Sequence, residues 1–431
     1  MKRPNGHNSN TVPLTQFYHE WVHELCARGF KVADGSRGKP SFPKDASAEK
    51  AILDFVKNAG KVFPYGTNAV GEKKFREQAA AGFSKEYGIN FSANEMVFTP
   101  GGQFGISAAF YLVEHLFPNS VIVSPKPWYL NHHDIACMFS NGFNAIPNND
   151  KFHAIDILDA GVKRLSAGLI QNAIDECNKQ NKKIGAFLFC NPMNPMGQVT
   201  RKNEWQEIAK TLDKYPDALI LMDEAFAEII FDNDYNCSIL HAAPHLKNRM
   251  ILFRSGTKAL GYPGERLAVM AVPEKYLDIL TAFQSRLLGS APLTSQAGMA
   301  AAIANMSVAS KQKISEYYFE NYKFLKSKVA ENKNLKILSE AEGGFYVLVD
   351  FSSFKGKKIP ALAKEILGDN ADLISTDTQL SISLMCGLLG DNKGIATIPA
   401  SAFGANKNSL ILRVSFSSNK DQIDLFFKMV K

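Results

Sequence analysis

Arg254–Arg266 reads RSGTKALGYPGER and follows RMILF (Arg249–Phe253), an apolar run of strand character. Lys258 sits among small residues where that strand gives way to a glycine-rich turn, three residues after Ser255 and eight before Arg266. A lone lysine in such a turn is a solvated loop residue. Its reading therefore depends on what the other strand ends carry.

Five further apolar runs have strand character: EMVFTP (Glu95–Pro100), SVIVSP (Ser120–Pro125), KIGAFLFCNP (Lys183–Pro192), DALILMDEA (Asp217–Ala225) and RLAVMAV (Arg266–Val272). Amphipathic stretches of helical period lie between several of them, such as GGQFGISAAFYLVEHLF (Gly101–Phe117) and RKNEWQEIAKTLDKY (Arg201–Tyr215). This alternation predicts an α/β fold with a mostly parallel sheet covered on both faces. In such sheets ligands gather beyond the carboxyl ends of the strands.

After about Gln296 the texture changes. One long helical stretch to about Asn334, then GGFYVLVDF (Gly343–Phe351), a further helix, GIATIPASAFG (Gly394–Gly404) and LILRVSF (Leu410–Phe416) predict a smaller α+β unit. The helix candidate LTQFYHEWVHELCARGF (Leu14–Phe30) is expected to pack with it. The expected division is residues 1–55 as an N-terminal segment joining the small domain, 56–305 as the large cofactor-binding domain and 306–431 as the small C-terminal domain.

Polar groups of complementary kinds stand at the strand ends. Gly101 and Gly102 precede a helix, where small residues let backbone N–H groups approach a phosphate and the helix start adds positive partial charge; alone, such a pair is a turn. In NPMNPMG (Asn191–Gly197) two asparagines each precede a proline, in a turn that would fix an amide. Asp223 ends a strongly apolar strand, where a carboxylate needs a cation or donors, or else caps a helix. A lysine can form a Schiff base, a carboxylate can keep a ring nitrogen protonated, and an amide can donate to a phenolic oxygen. Glycine amides, a serine and an arginine can hold a phosphate. Those are the needs of pyridoxal phosphate, a cofactor that serves as an electron sink.

On the motifs S-x-x-K-x-x-G-x-x-x-x-R (Ser255–Arg266), N-P-x-N-P-x-G and D-E-A, the chain resembles the class I/II, fold-type I aminotransferases, and among them the aspartate aminotransferases, from about Gly38 to Phe416. The resemblance implies a three-layer large domain on a mostly parallel seven-stranded sheet, a smaller α+β domain, and pyridoxal 5'-phosphate as cofactor. It implies that Lys258 is the Schiff-base lysine and carries a proton between Cα and C4′, that Asp223 pairs with the pyridinium nitrogen, and that Asn194 donates to ring O3′. Gly101, Gly102, Gln103, Ser255 and Arg266 would hold the phosphate.

PKPWYLNH (Pro125–His132) is similar to the segment whose aromatic stacks on the ring, with Tyr129 the match and Trp128 the alternative. His132 matches a histidine that supports the aspartate; a satisfied core histidine is the other reading. FPYGTNAVGEKKFR (Phe63–Arg76) matches a region that sends a tyrosine, here Tyr65, to the neighbouring subunit's cofactor phosphate. Tyr65 lies one residue further from Gly71 than the family pattern has it. Arg413 stands where the family binds the substrate α-carboxylate, which a planar fork can hold bidentately. SRGKPSFP (Ser36–Pro43) resembles the segment that closes over substrate, with Gly38 offering a backbone contact.

Two positions bear on the reaction. Phe226 stands three residues after Asp223, where the family has a tyrosine donating to O3′, and phenylalanine cannot donate. In SRLLGSAPLTSQ (Ser285–Gln296), Arg286 precedes Ser290 by four residues, the spacing of a second arginine that dicarboxylate-specific members supply from the partner subunit. That spacing suggests an acidic side chain such as aspartate or glutamate; a surface arginine on a helix is the other reading. The expected function is a pyridoxal-phosphate-dependent aminotransferase moving an amino group between an L-amino acid and a 2-oxo acid. A decarboxylase, β-lyase or synthase on the same cofactor is the alternative. A non-enzymatic sensor is a third reading, but regulators of that kind carry an N-terminal DNA-binding domain, and only about 35 residues precede Gly38.

The totals agree with an enzyme of this kind. With 431 residues, 45% hydrophobic and 21% charged, the chain can build a sizeable core in two units. The net charge of +7 is modest, and the lysines of Lys311–Lys336 alternate with acidic and aromatic residues at helical spacing, which reads as a wet helix face and not a nucleic-acid patch. The six cysteines show neither CxxC pairs nor metal-ligand spacing, so they read as thiols of a reducing compartment, with no metal site. MKRPNGHNSNTVP lacks a signal-peptide core, and no apolar run reaches membrane-span length. A cytoplasmic homodimer acting on small molecules is expected, without nucleic-acid or membrane partners.

Overall fold

The structure, a computed structural model, describes residues 1–7, 12–141, 151–159, 161, 163–390 and 392–430. Its strands in chain order are β1 (Lys31–Asp34), β2 (Met96–Pro100), β3 (Val121–Lys126), β4 (Phe152–Asp156), β5 (Ile184–Cys190), β6 (Leu219–Asp223), β7 (Met250–Ser255), β8 (Leu267–Ala271), β9 (Lys336–Ile337), β10 (Tyr346–Asp350), β11 (Lys393–Ala396), β12 (Ile398–Pro399) and β13 (Ile411–Ser415).

Seven of them form one sheet in the order β2-β8-β7-β6-β5-β3-β4. Neighbours are parallel except at β8, which is antiparallel to both β2 and β7. Successive residues face opposite layers: Phe187 and Phe189 of β5 enter one apolar cluster, Ala186 and Leu188 the other. In β6, Ile220 and Met222 likewise oppose Leu219 and Leu221. Burial on both faces explains why these strands are continuously apolar instead of alternating. The α/β fold expected from the alternation of elements is the one observed.

The smaller unit holds a four-stranded antiparallel sheet, β12-β13-β10-β9, and a parallel pair, β1 with β11. Its core takes Phe17, Tyr18 and Trp21 from the helix Leu14–Ala27 and joins them to Tyr318, Phe345 and Phe351. The helix Ala46–Asn58 lies elsewhere, although most of it falls in the segment expected to join the small domain. It packs against the helix Leu293–Asn305, where a side chain on Gly298 would meet Ile52 at 2.9 Å. The single long helix expected after Gln296 is two helices, Leu293–Asn305 and Val308–Ala330. Ser307 separates them by capping the second, its Oγ accepting from the Ser310 N–H at 3.1 Å.

No helix among the described residues is long and apolar enough to cross a membrane. None of the described residues form a group of three or more metal-binding side chains.

One buried carboxyl makes stability depend on pH. Asp377, 0% exposed at the start of the helix Asp377–Met385, accepts from Ser401 N at 2.7 Å and Ser401 Oγ at 2.8 Å. Burial outweighs these donors and pushes its carboxyl up to about 6 from an ordinary 3.8. A raised carboxyl favours the protonated folded state, so its contribution is full below pH 4 and is lost as pH rises through 6. The loss amounts to about 3 kcal/mol at neutral pH. The melting temperature of Asp377→Asn relative to wild type is therefore expected to rise between pH 4.5 and 7; a difference that stays flat with pH would contradict this.

Candidate active site

The parallel register sets the carboxyl ends of β5, β6 and β7 side by side, with Cys190 opposite Asp223 and Asp223 opposite Phe253. Beyond these ends lies a cavity of about 490 Å³. Asn194, Asp223, Lys258 and Arg266 line it from the large unit, and Gly38, Tyr346 and Arg413 close it from the small one.

Asp223 is 6% exposed, and both its oxygens are held. Oδ1 accepts from the Ala225 N–H at 3.0 Å, and Oδ2 accepts from the Nε2 of buried His132 at 3.0 Å. The imidazole in turn packs edge-on against Tyr129, centroid to centroid 5.1 Å. Tyr129 lines the cavity, accepts from Asn131 Nδ2 at 2.8 Å, and has its phenol pushed up by burial. Trp128 instead stacks on His133 at 5.5 Å, so the aromatic presented to the cavity is Tyr129.

The two asparagines of the NPMNPMG turn separate. Asn191 is spent on the backbone, donating to Thr200 O at 3.1 Å and Cys237 O at 2.8 Å and accepting from Thr200 N at 2.8 Å. Asn194 lines the cavity, and its Oδ1 accepts from Arg413 Nη1 at 3.2 Å. That leaves the Asn194 amide nitrogen as a donor.

Gly101 precedes the helix Gly102–Leu116 with φ 90, a left-handed conformation that a side chain rarely adopts. A Cβ there would also overlap the Arg266 guanidinium. The glycine thus lets the arginine lie across the helix start, whose first N–H groups lack intrahelical acceptors. Arg266 itself has φ 55 and is steadied by Nη1 donating to Pro263 O at 2.9 Å. Ser255 Oγ donates to Thr257 Oγ1 at 3.0 Å, and Gln103 completes this corner. Several N–H donors and one cation without a carboxylate suit a dianionic phosphate.

Lys258 Nζ donates to Gly38 O at 3.1 Å and stands 6.0 Å from the centroid of Phe226 and 5.6 Å from that of Phe345. Phe226 is buried edge-on to Phe345 at 5.0 Å and Tyr346 at 5.9 Å, so the ring belongs to an apolar wall. A Cβ at Gly38 would overlap the Tyr346 hydroxyl, which is why only glycine brings that backbone to the lysine. Arg413, 2% exposed, lies 4.0 Å over the Tyr346 ring and donates from Nη2 to Ser36 O at 2.6 Å. Its Nε is buried without a partner among the described residues. An orphaned guanidinium N–H in a cavity wall calls for an anion from outside the chain. Phosphate corner, ring-nitrogen partner, lysine and anion-seeking arginine together fit pyridoxal phosphate and an α-amino acid.

Tyr65 and Arg286 do not line this cavity. Tyr65 is 97% exposed, and Arg286 is exposed with Nη1 on Ala282 O at 3.2 Å. Their segments nevertheless meet, since Gly66 is packed so tightly on Ser290 that no Cβ would fit. Exposed Val62, Phe63 and Leu287 flank them.

Some cavity residues carry no motif of their own. Tyr346 lies in a strand that reads only as core, and Ser36, Arg37 and Lys39 flank Gly38 in a segment where only the glycine was singled out. A buried network behind the strand ends is equally unmarked in the sequence. Arg254 pairs with Glu228 and donates to the Tyr87 hydroxyl at 2.9 Å, and that hydroxyl donates to Glu224 at 2.6 Å. Burial pushes the Glu224 carboxyl up, and the network ties the helix Lys73–Tyr87 to the turn bearing Asp223.

Comparison with known proteins covers nearly the whole chain. The profile of the family "Aminotransferase class I and II" matches residues 34–429. An aspartate/prephenate aminotransferase of Nitrosomonas europaea is 23% identical over 411 residues, spanning 94% of this chain and 93% of the relative. An aspartate aminotransferase of Pinus pinaster is 25% identical, spanning 96% of this chain and 76% of the relative. The crystal structure of the aspartate aminotransferase of Rhizobium meliloti superposes with a TM-score of 0.80 at 19% identity, covering 98% of this chain and 97% of the other.

Proposed function

The chain belongs to the class I and II aminotransferases, enzymes that use pyridoxal phosphate, and from that premise we propose how its residues divide the work. When bound, the cofactor supplies an electron sink for the bonds at the substrate Cα. Asp223, oriented by His132 and Ala225 N, would hold the cofactor's ring nitrogen in its protonated form. The Asn194 amide nitrogen would donate to a phenolic oxygen of the cofactor, and Tyr129 would supply an aromatic face for its ring. The helix start at Gly102 and Gln103, with Gly101, Ser255 and Arg266, holds the phosphate.

Arg413 binds the substrate α-carboxylate through the Nε that lacks a partner among the described residues, while Asn194 and Ser36 O keep its fork in place. Lys258 would hold the cofactor by its aldehyde carbon, and its amine would carry the proton at the substrate Cα. Gly38 O, which accepts from Lys258 Nζ, offers that amine a polar resting place. The observation that carries this reading is the convergence of Lys258, Asp223, Asn194 and Arg413, from four separate segments, on one cavity. Decarboxylase, β-lyase and synthase readings are not favoured beside relatives named as aminotransferases.

We extend the reading to an acidic amino acid, on the names of the relatives, an aspartate/prephenate and an aspartate aminotransferase. The adjacency of the Tyr65 and Arg286 segments, with exposed apolar residues beside them, supports a homodimer in which Tyr65 serves the partner's cavity. We place the division between units with the helix Ala46–Asn58 on the large side. The scattered cysteines, unbridged to one another among the described residues, support a cytoplasmic enzyme.

The protein supplied with pyridoxal phosphate, 2-oxoglutarate and each L-amino acid in turn is expected to form glutamate and the matching 2-oxo acid one for one, with aspartate the best donor. Release of carbon dioxide or ammonia in place of glutamate would contradict the proposal.

A further inference from the structure

Five cationic side chains line the cavity, Arg37, Lys39, Lys258, Arg266 and Arg413, against a single carboxylate, Asp223. The proposed function gives work to three of the five. Lys258 holds the aldehyde carbon, Arg266 the phosphate and Arg413 the α-carboxylate. Arg37 and Lys39 are left over, and neither has a carboxylate at ion-pair distance among the described residues.

Their position is fixed by the backbone that carries them. Ser36 O accepts from Arg413 Nη2 at 2.6 Å, and Gly38 O accepts from Lys258 Nζ at 3.1 Å. Arg37 therefore sits between the carbonyl tied to the carboxylate-binding arginine and the carbonyl tied to the reacting lysine. Its own carbonyl is steadied by Ser417 Oγ at 3.4 Å. A substrate anchored at Arg413 with Cα beside Lys258 lies along this segment, and its side chain has Arg37 and Lys39 within the same lining.

The guanidinium is poised without being neutralised. Arg37 Nη1 lies 2.9 Å from His19 Nδ1, an imidazole that burial and Arg37 itself hold toward its neutral form. Neutral imidazole accepts this one N–H and leaves the charge and the remaining donors of the fork available. Asp34, three residues before Arg37, is engaged by Ser36 N at 2.9 Å and Ser36 Oγ at 2.6 Å and does not line the cavity.

We propose that Arg37, assisted by Lys39, recognises the second anionic group of the substrate from within the same chain, the role that Arg286 would otherwise fill from the partner subunit. This rests on the aminotransferase reading and names the side-chain recognition site of that cavity. A fork-shaped cation favours a planar carboxylate at the far end of an amino acid over its neutral amide.

The test compares wild type, Arg37→Gln, Lys39→Gln and Arg286→Gln, all at exposed positions. The readouts are the kcat/KM ratio for L-glutamate over L-glutamine and calorimetric binding of glutarate against butyrate. Wild type is expected to prefer the dicarboxylate in both, and Arg37→Gln to lower that preference about 10- to 100-fold, the scale of one charge-assisted pair. Lys39→Gln is expected to lower it less. A preference retained in Arg37→Gln, or lost in Arg286→Gln instead, overturns the proposal. Wild type that transfers amino groups without favouring the dicarboxylate overturns it too, and leaves amino transfer standing. Wild type that transfers from no amino acid overturns the functional reading; glutarate binding lost on Arg37→Gln would then still support the anion site.

Discussion

Lys258→Ala is expected to lower kcat by about 10⁴-fold or more while the protein stays folded. On the proposed roles the loss is large because one amine would both hold the cofactor carbon and carry the proton, and removal of a reacting group costs a factor on the order of 10⁴–10⁶. The fold should survive because the side chain is only half-buried and its one hydrogen bond is to Gly38 O at 3.1 Å. Lys258→Arg keeps the charge but not the nucleophile, and should lose as much. Single-turnover kinetics beside thermal melts would check both; a Lys258→Ala protein active within tenfold of wild type would remove the lysine from the chemistry.

Asp223→Asn is expected to show the next largest loss, about 10²–10⁴-fold in kcat, on the scale of 3–5 kcal/mol for stripping one partner from a buried charged pair. Asparagine keeps the size of the side chain and an oxygen for the Ala225 N–H, so the turn after β6 should hold. What it lacks is a negative charge for the ring nitrogen. His132 touches Asp223 at 3.0 Å and not the cavity, which makes it a positioning residue. His132→Gln should therefore cost only about tenfold, the lower end of the loss seen when a supporting hydrogen-bond partner is removed. Parallel kcat measurements with cofactor-retention assays would show this ranking; equal losses in the two variants would contradict it.

The residues that chemistry places at strand ends were legible because their motifs are local. Ser255, Lys258 and Arg266 lie within one turn, and Asp223 ends a run whose apolar character marks it as a buried strand. The sheet was legible for the same reason in six strands. β4 was not, since FHAID interrupts its apolar residues with His153 and Asp156 at the sheet edge. Strand order and the reversal at β8 depend on long-range pairing, which no local pattern encodes.

The small-unit side of the site was the least legible. Tyr346 lies within a core strand, and Arg37 shows its relation to Lys258 only because two backbone carbonyls, 36 and 38, are drawn into the cavity. The break at Ser307 was hidden because helical period continues across it. Asn191 and Asn194 look equivalent in sequence, and only packing sends one to Cys237 O and the other to Arg413.

The central claim, that Lys258 is the lysine joined to the cofactor, has a direct test. The protein loaded with pyridoxal phosphate is reduced with borohydride, digested and mapped by mass spectrometry. The account predicts the cofactor mass on Lys258 itself and none on Lys39, although both line the cavity. A label on another lysine, or a loaded protein that yields no labelled lysine, would contradict it.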